Sequence, residues 1–111
     1  MQPVIIDLIP KGTPPICYAS RGDNRREIQI IILENGVPYN LSGNEITVVD
    51  IRRPDNQLFI EGINNTGGNK LLMRSLSSFI DIPGKYSCRL RIIDGNTSIS
   101  SSNFILEVEG F

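Results

Sequence analysis

Few of the side chains that usually carry enzyme chemistry occur in this sequence. Histidine, the commonest general base and a frequent metal ligand, is absent from all 111 residues. The two cysteines, Cys17 and Cys88, are far from the CxxC spacing of zinc and redox sites. The central carboxylates are Asp50, Asp55, Glu61 and Asp81. Nothing in their spacing selects a catalytic pair, so a solvated or salt-bridged surface is the favoured interpretation. The sequence therefore predicts no enzyme activity, no metal site and no cofactor.

Arginine is the charged residue with a recognisable arrangement. Three pairs lie at strand positions: Arg89 and Arg91 on the outward face of one predicted strand, Arg52-Arg53 at the end of another, and Arg25-Arg26 at the start of a third. One interpretation is a solvated face that also discourages edge pairing. The other is a polar protein–protein contact surface, in which arginine is enriched. Both stay open at this point, and the candidate interface residues are Arg89, Arg91, Arg52 and Arg53.

The composition is that of an ordinary globular protein, with 40% apolar and 21% charged residues. A length of 111 residues predicts one domain, spanning 1–111. The formal net charge of -1 argues against binding to nucleic acid driven by overall charge. The first residues, MQPVIIDLIPKG, lack the features of a secretory signal, and no apolar run is long enough to cross a membrane. We therefore expect synthesis in the cytoplasm and no membrane partner.

The elements that must position these residues are strands, because apolar residues alternate and helical periodicity is nearly absent. Eight strands are predicted: Val4–Ile9, Cys17–Ser20, Glu27–Leu33, Glu45–Arg52, Gln57–Ile63, Lys70–Leu76, Lys85–Ile93 and Ser98–Val108. Turn residues separate them at spacings typical of a β-sandwich or barrel. The predicted fold class is all-β, a single-domain antiparallel β-sandwich, immunoglobulin-like, of about eight strands.

Turn chemistry and strand parity give finer predictions. Asn35-Gly36 and Asp94-Gly95 suit type I′ turns, and Pro54-Asp55-Asn56 suits a type I turn. On the strand that begins near Lys85, the core positions are Tyr86, Cys88, Leu90 and Ile92. On the returning strand Ile99 and Phe104 have opposite parity, so both point inward only if a bulge lies among 100–102. The favoured interpretation is that bulge, and the alternative is an exposed Ile99.

The Tyr-x-Cys pattern at Tyr86 and Cys88 is also found in immunoglobulin domains, with Cys17 at a plausible distance for the partner cysteine. The sequence has no tryptophan to pack on such a disulfide and no signal peptide. We expect both cysteines to lie buried in strands as reduced thiols. A carbohydrate-binding sandwich is a further alternative, although three tyrosines and four phenylalanines leave few aromatic residues for a sugar face.

An ordered series of motifs resembles a known family. The segment SRGDNRREIQIIILENGVPYNLSGNEITVVDIRRPDNQLF contains an NG-x-P-x-N-L-S-G connection, a strand and an RPDN turn. The family pattern is similar: DG-x-P-x-D-L-T-G, then a strand that ends in KPDG. The closing segment, IPGKYSCRLRIIDGNTSISSSNFILEVEG, matches a G-x-Y strand, a short turn and I-S-S-x-x-F-x-I-x-V. The chain thus resembles, over about residues 22–109, the N-terminal domain of the upper baseplate proteins of siphophages.

The resemblance implies a β-sandwich that anchors a receptor-binding or fibre module to a phage particle, without enzyme activity. Its implied partners are other virion proteins: a tail-hub or capsid protein on one side and a fibre or receptor-binding protein on the other. It also implies a homo- or hetero-oligomer within the particle, after synthesis in the cytoplasm of the host bacterium. The alternative is that the chain is a capsid decoration or head-fibre protein of the same fold, located on the head of the particle.

Overall fold

Alternating apolar and polar residues, rich in isoleucine and valine, form ten strands in the part of the chain that the computed structural model describes. The structure describes residues 2–9, 13–20, 27–73 and 80–110. The strands are β1 (Gln2–Asp7), β2 (Ile16–Ser20), β3 (Ile28–Glu34), β4 (Val37–Pro38), β5 (Ile46–Arg52), β6 (Leu58–Gly62), β7 (Asn64–Gly67), β8 (Lys70–Met73), β9 (Gly84–Asp94) and β10 (Thr97–Glu109). No helix occurs within these described ranges, so the chain is all-β as predicted.

The strands form two five-stranded sheets. One has the order β1-β3-β8-β7, with β4 paired to β3, and the other has the order β2-β10-β9-β5-β6. Buried side chains of both sheets form one hydrophobic cluster, in which Tyr86 and Phe104 are the largest fully buried residues. The predicted core positions on β9 are all buried: Tyr86, Cys88, Leu90 and Ile92. The β-sandwich prediction is therefore confirmed, and the immunoglobulin-like topology stays a prediction.

Two strand pairs correct the expectation of purely antiparallel sheets. Strand β1 runs parallel to β3, and β2 runs parallel to β10. Alternation along one strand reveals which face is buried but not the direction of the neighbouring strand, so the sequence did not indicate these pairs. The eight predicted strands are all present, although residues 74–76 of Lys70–Leu76 lie outside the described residues. Strands β4 and β7 were not predicted.

The predicted turns are confirmed at two places and corrected at one. Asn35 and Gly36 both have positive φ, 51° and 81°, as a type I′ turn requires. The amide of Asn56 donates to the carbonyl of Arg53, which closes the predicted turn. At the third place Asp94 pairs with Thr97, so Gly95 and Asn96 are the central residues. Only Gly95, at φ 59°, is positive, which makes this a type II′ turn rather than the predicted type I′ turn.

The predicted bulge in β10 is also confirmed. Ser100 pairs with Arg91 and Asn103 with Arg89, so three steps along β10 match two steps along β9. The shift lets Phe104 lie fully buried while Ile99 packs against the edge of the core. Within the bulge Ser101 is buried, and its hydroxyl accepts a hydrogen bond from the amide of Leu90 at 3.0 Å. The bulge thus keeps a buried backbone donor satisfied.

Tyr86 anchors the segment that leads into β9. Its hydroxyl donates a 2.7 Å hydrogen bond to the carbonyl of Ile82, four residues upstream. A hydrogen bond from a tyrosine hydroxyl to the backbone just upstream is the geometry of the tyrosine corner in β-sandwiches. The Tyr-x-Cys pattern therefore marks a local corner in this fold.

Candidate interaction surface

Three of the four carboxylates considered as catalytic candidates, Asp50, Asp55 and Asp81, are bound by arginines. Asp50 accepts hydrogen bonds from Arg91 and Arg89, while Asp55 and Asp81 both contact Arg53. Among the described residues, no group of three or more cysteine, aspartate or glutamate side chains could hold a metal ion. These contacts give the carboxylates a structural role as counter-ions, and no acid–base pair emerges from them.

The two cysteines are free thiols buried in the same sheet. Strand β10 lies between the strands that carry Cys17 and Cys88, which places their backbones two strand spacings, about 9.6 Å, apart. A disulfide needs Cα atoms within about 7 Å, so these two cannot bond without a backbone movement. Burial raises the pKa of Cys17 to about 11 and also raises the pKa of Cys88. Both groups therefore stay as weakly reactive thiols near neutral pH.

Arg89 and Arg91 project from the outer face of β9 and share one carboxylate. Arg91 binds Asp50 in a bidentate manner, through Nε at 2.7 Å and an Nη at 2.9 Å. Arg89 adds one longer contact of 3.2 Å and keeps about half of its side chain exposed. Burial raises the pKa of Asp50, but the hydrogen bonds from Arg91 and Arg89 outweigh it and hold that pKa below its usual value. Asp50 is therefore ionised and fixes the orientation of both arginines.

Arg53 is arranged differently from the other candidate arginines. It binds Asp55 through two hydrogen bonds of 2.9 and 2.8 Å, and it reaches Asp81 at 2.7 Å. Its guanidinium also lies 5.1 Å from the centroid of the Phe59 ring. These contacts connect the turn after β5 to the segment before β9. Arg53 thus holds two parts of the chain together, and little of it is available to a partner.

Arg52 is exposed on the surface of the sheet. It lies on the outer face of β5, between Ser87 on β9 and Leu58 on β6. Its side chain makes no hydrogen bond or ion pair with any residue in the described part of the chain. A shallow groove of about 550 Å³ runs over this face, with Arg52, Arg89 and Arg91 among the residues that line it. The structure therefore brings three of the four predicted interface residues together and separates Arg53 from them.

Large apolar side chains are exposed on the same face of the sheet, and two of them, Leu58 and Ile60, line the groove. Leu58 and Ile60 of β6 are each 65% exposed, and Ile46 of β5 is 63% exposed. On β2, Ile16 and Tyr18 are also exposed on this sheet. Exposed apolar side chains beside arginines, as at Leu58 and Ile60 in this groove, are typical of protein contact sites. Sequence reasoning missed these residues, because a strand with both faces partly apolar does not reveal which face is covered.

Arg25 and Arg26, the third arginine pair, lie outside the described residues.

No helix long and apolar enough to cross a membrane is found in the part of the chain that the structure describes.

Two comparisons relate the chain to known proteins, and a third finds no match. The model of the BppU N-terminal domain family, the N-terminal domain of the baseplate upper protein, matches residues 6–110. Among solved structures, the chain is similar to the N-terminal domain of phage TP901-1 ORF48, with a TM-score of 0.73 and 18% sequence identity. That match covers 98% of this chain and 99% of the other chain, and at this identity it shows the fold alone. No curated protein matches.

Proposed function

The chain belongs to the family of BppU N-terminal domains, and we propose that it anchors a receptor-binding or fibre protein to the phage particle. Family membership gives it a structural role in the phage baseplate. The proposal adds that the chain is not an enzyme, that 1–111 form a single domain, and that it works by assembly with other virion proteins. The family match over residues 6–110 is the observation that carries the proposal.

The proposed partners are a tail-hub protein on one side and a fibre or receptor-binding protein on the other. The outer face of β9, β5 and β6 supports one such contact, because it combines oriented arginines with exposed apolar side chains. Arg52, Arg89 and Arg91 are the proposed contact residues there, and Arg53 contributes by holding the neighbouring turn. We propose no nucleic-acid or membrane partner. The chain would be made in the host cytoplasm and would reside in the virion.

A capsid decoration or head-fibre role uses the same kind of surface, so the location on the particle needs a direct test. Purified particles can be disrupted and separated into head and tail fractions, and each fraction analysed by mass spectrometry. We expect peptides of this chain in the tail fraction, at a fixed ratio to the baseplate proteins. Their presence in the head fraction alone would favour the capsid alternative. Their absence from both fractions would refute a virion role.

A further inference from the structure

Strand β6 is an edge of its sheet with unpaired backbone groups. It pairs with β5 on one side, and no strand within the described residues lies beyond it. The amide of Arg53 donates to the carbonyl of Gln57, and the amide of Ile63 donates to the carbonyl of Thr47. The backbone N–H and C=O groups of the odd-numbered residues along β6 therefore point towards β5. Because hydrogen-bonding directions alternate along an antiparallel strand, the N–H and C=O groups of Leu58, Ile60 and Gly62 point away from the sheet.

This edge has little of the usual protection against strand pairing. Natural edges are blunted by charged residues, especially lysine, by proline or by a bulge. Strand β6 has the sequence LFIEG, with no lysine, proline or bulge between Leu58 and Gly62, and its one charged residue, Glu61, lies on the inner face. The two large side chains on its outer face, Leu58 and Ile60, are each 65% exposed. By contrast β1, one edge strand of the other sheet, carries Pro3. Strand β6 therefore offers both backbone groups and apolar surface to an added strand.

We propose that the occupant of this edge is a second copy of the chain, which pairs its own β6 in antiparallel orientation about a two-fold axis at Ile60. In this register Ile60 faces Ile60 of the second copy, and Leu58 faces Gly62 in both directions. Each of these pairs exchanges two backbone hydrogen bonds, because all of their N–H and C=O groups point outward. The two five-stranded sheets then form one continuous sheet with an isologous interface.

The side chains are self-complementary in this register. No atom lies within 4 Å of a Cβ built on Gly62, so there is open space for Leu58 of the other copy. The two Ile60 side chains meet at the axis and cover apolar surface that each copy alone exposes. On the opposite face of the strand Phe59 lies across from Glu61, so no like charges are directly opposed. The formal net charge of -1 adds little repulsion between copies.

The strand is short, so the dimer is expected to be weak and dependent on concentration. Sedimentation velocity of the purified full chain, from about 10 µM to about 1 mM, measures this association. We expect the weight-average mass to rise from monomer towards dimer. Hydrogen exchange at the high concentration should slow at the amides of Leu58, Ile60 and Gly62. A chain that stays monomeric throughout this range would overturn the proposal.

Two variants and one matched control locate the interface. Ile60→Lys places like charges at the two-fold axis, and Ile60→Pro removes an outward N–H that the monomer does not use, so both should abolish the dimer. Ile46→Lys alters a side chain of nearly equal exposure, 63%, on the same sheet but not at its edge, and should dimerise normally. Circular dichroism confirms that each variant is folded. A dimer that survives both Ile60 variants would mean a different surface and would refute the proposal.

The inference does not depend on where the chain sits in a virion, since it concerns the purified protein. If the purified chain is monomeric but is found in tail fractions, the dimer proposal is refuted and the baseplate proposal stands. If the chain is dimeric but absent from particles, the baseplate proposal is refuted and the dimer proposal stands.

Discussion

Cys17 and Cys88 lie on strands β2 and β9 of one sheet, with β10 between them. Burial raises both thiol pKa values, so the thiolate forms are scarce at neutral pH. We predict two free thiols per chain when the protein is unfolded without reductant and treated with a thiol reagent. In the native protein both should react far more slowly than after addition of urea. A count of zero would contradict this arrangement and indicate the disulfide of an immunoglobulin domain.

Ser101 provides a second prediction at the scale of single residues. Its hydroxyl accepts the hydrogen bond from the Leu90 amide inside the bulge, where water cannot substitute easily. Ser101→Ala should lower the free energy of unfolding by about 1–3 kcal/mol, because it leaves a buried donor without that partner. Ser100→Ala, at the exposed neighbouring position, is the control and should change stability by less than about 0.5 kcal/mol. Equal urea midpoints for the two variants would argue against this role of the bulge.

At the scale of elements, the β9–β10 hairpin depends on the type II′ turn at Gly95 and Asn96. Gly95 has a φ of 59°, and no atom lies within 4 Å of a Cβ built there, so backbone conformation alone restricts the position. Gly95→Val should cost about 1–2 kcal/mol of unfolding free energy, since a β-branched residue resists positive φ. Asn96→Val, at the adjacent exposed turn residue, should cost clearly less. Similar denaturation curves for both variants would contradict the turn assignment.

Much of the element structure was predictable because strand periodicity is a local property. The alternation of Tyr86, Cys88, Leu90 and Ile92 indicated the core face of β9, and the parity conflict of Ile99 indicated the bulge. The unpredicted strands β4 and β7 have the sequences VP and NNTG, which contain residues depleted in strands. Their pairing depends on neighbours that a single-sequence pattern does not identify.

The candidate surface was predictable only in part. The outward direction of Arg89 and Arg91 follows from strand parity, but their shared contact with Asp50 depends on the β5–β9 register. That register joins residues about forty positions apart in the sequence, and parity alone does not select it. For the same reason the sequence did not indicate that Arg53 would bind Asp81. Long-range strand pairing therefore decides that Arg52, Arg89 and Arg91 line the groove, whereas Arg53 holds the turn after β5 to the segment before β9.

At the scale of the whole molecule, we predict that Arg52, which lines the groove, contributes to incorporation of the chain into particles. Replacing both Arg89 and Arg91 with glutamate would place two added carboxylates beside Asp50. A loss of incorporation could then come from an unstable fold as well as from a lost contact. Arg52→Glu avoids this, because Arg52 makes no ion pair with a described residue. We expect this variant to fold normally and to incorporate into particles about tenfold less, equivalent to about 1.4 kcal/mol.

Lys85→Glu is the control for the Arg52 variant. It makes the same change in net charge at an exposed position on the same face of the sheet, outside the groove. Because Lys85 pairs with Glu107, circular dichroism must first confirm that this variant folds normally. Quantitative mass spectrometry of particles from complemented infections compares the two. If both variants incorporate equally, the groove is not the contact surface, whatever the location of the chain on the particle.

The central claim, that this chain is a structural part of the baseplate, is tested most directly by electron cryo-microscopy of intact particles at the tail tip. The account predicts repeated density that fits the two-sheet sandwich between the tail hub and the fibres, and loss of that density when the gene is deleted. Density for the sandwich on the head surface, or an unchanged tail tip in particles without the chain, would contradict the account.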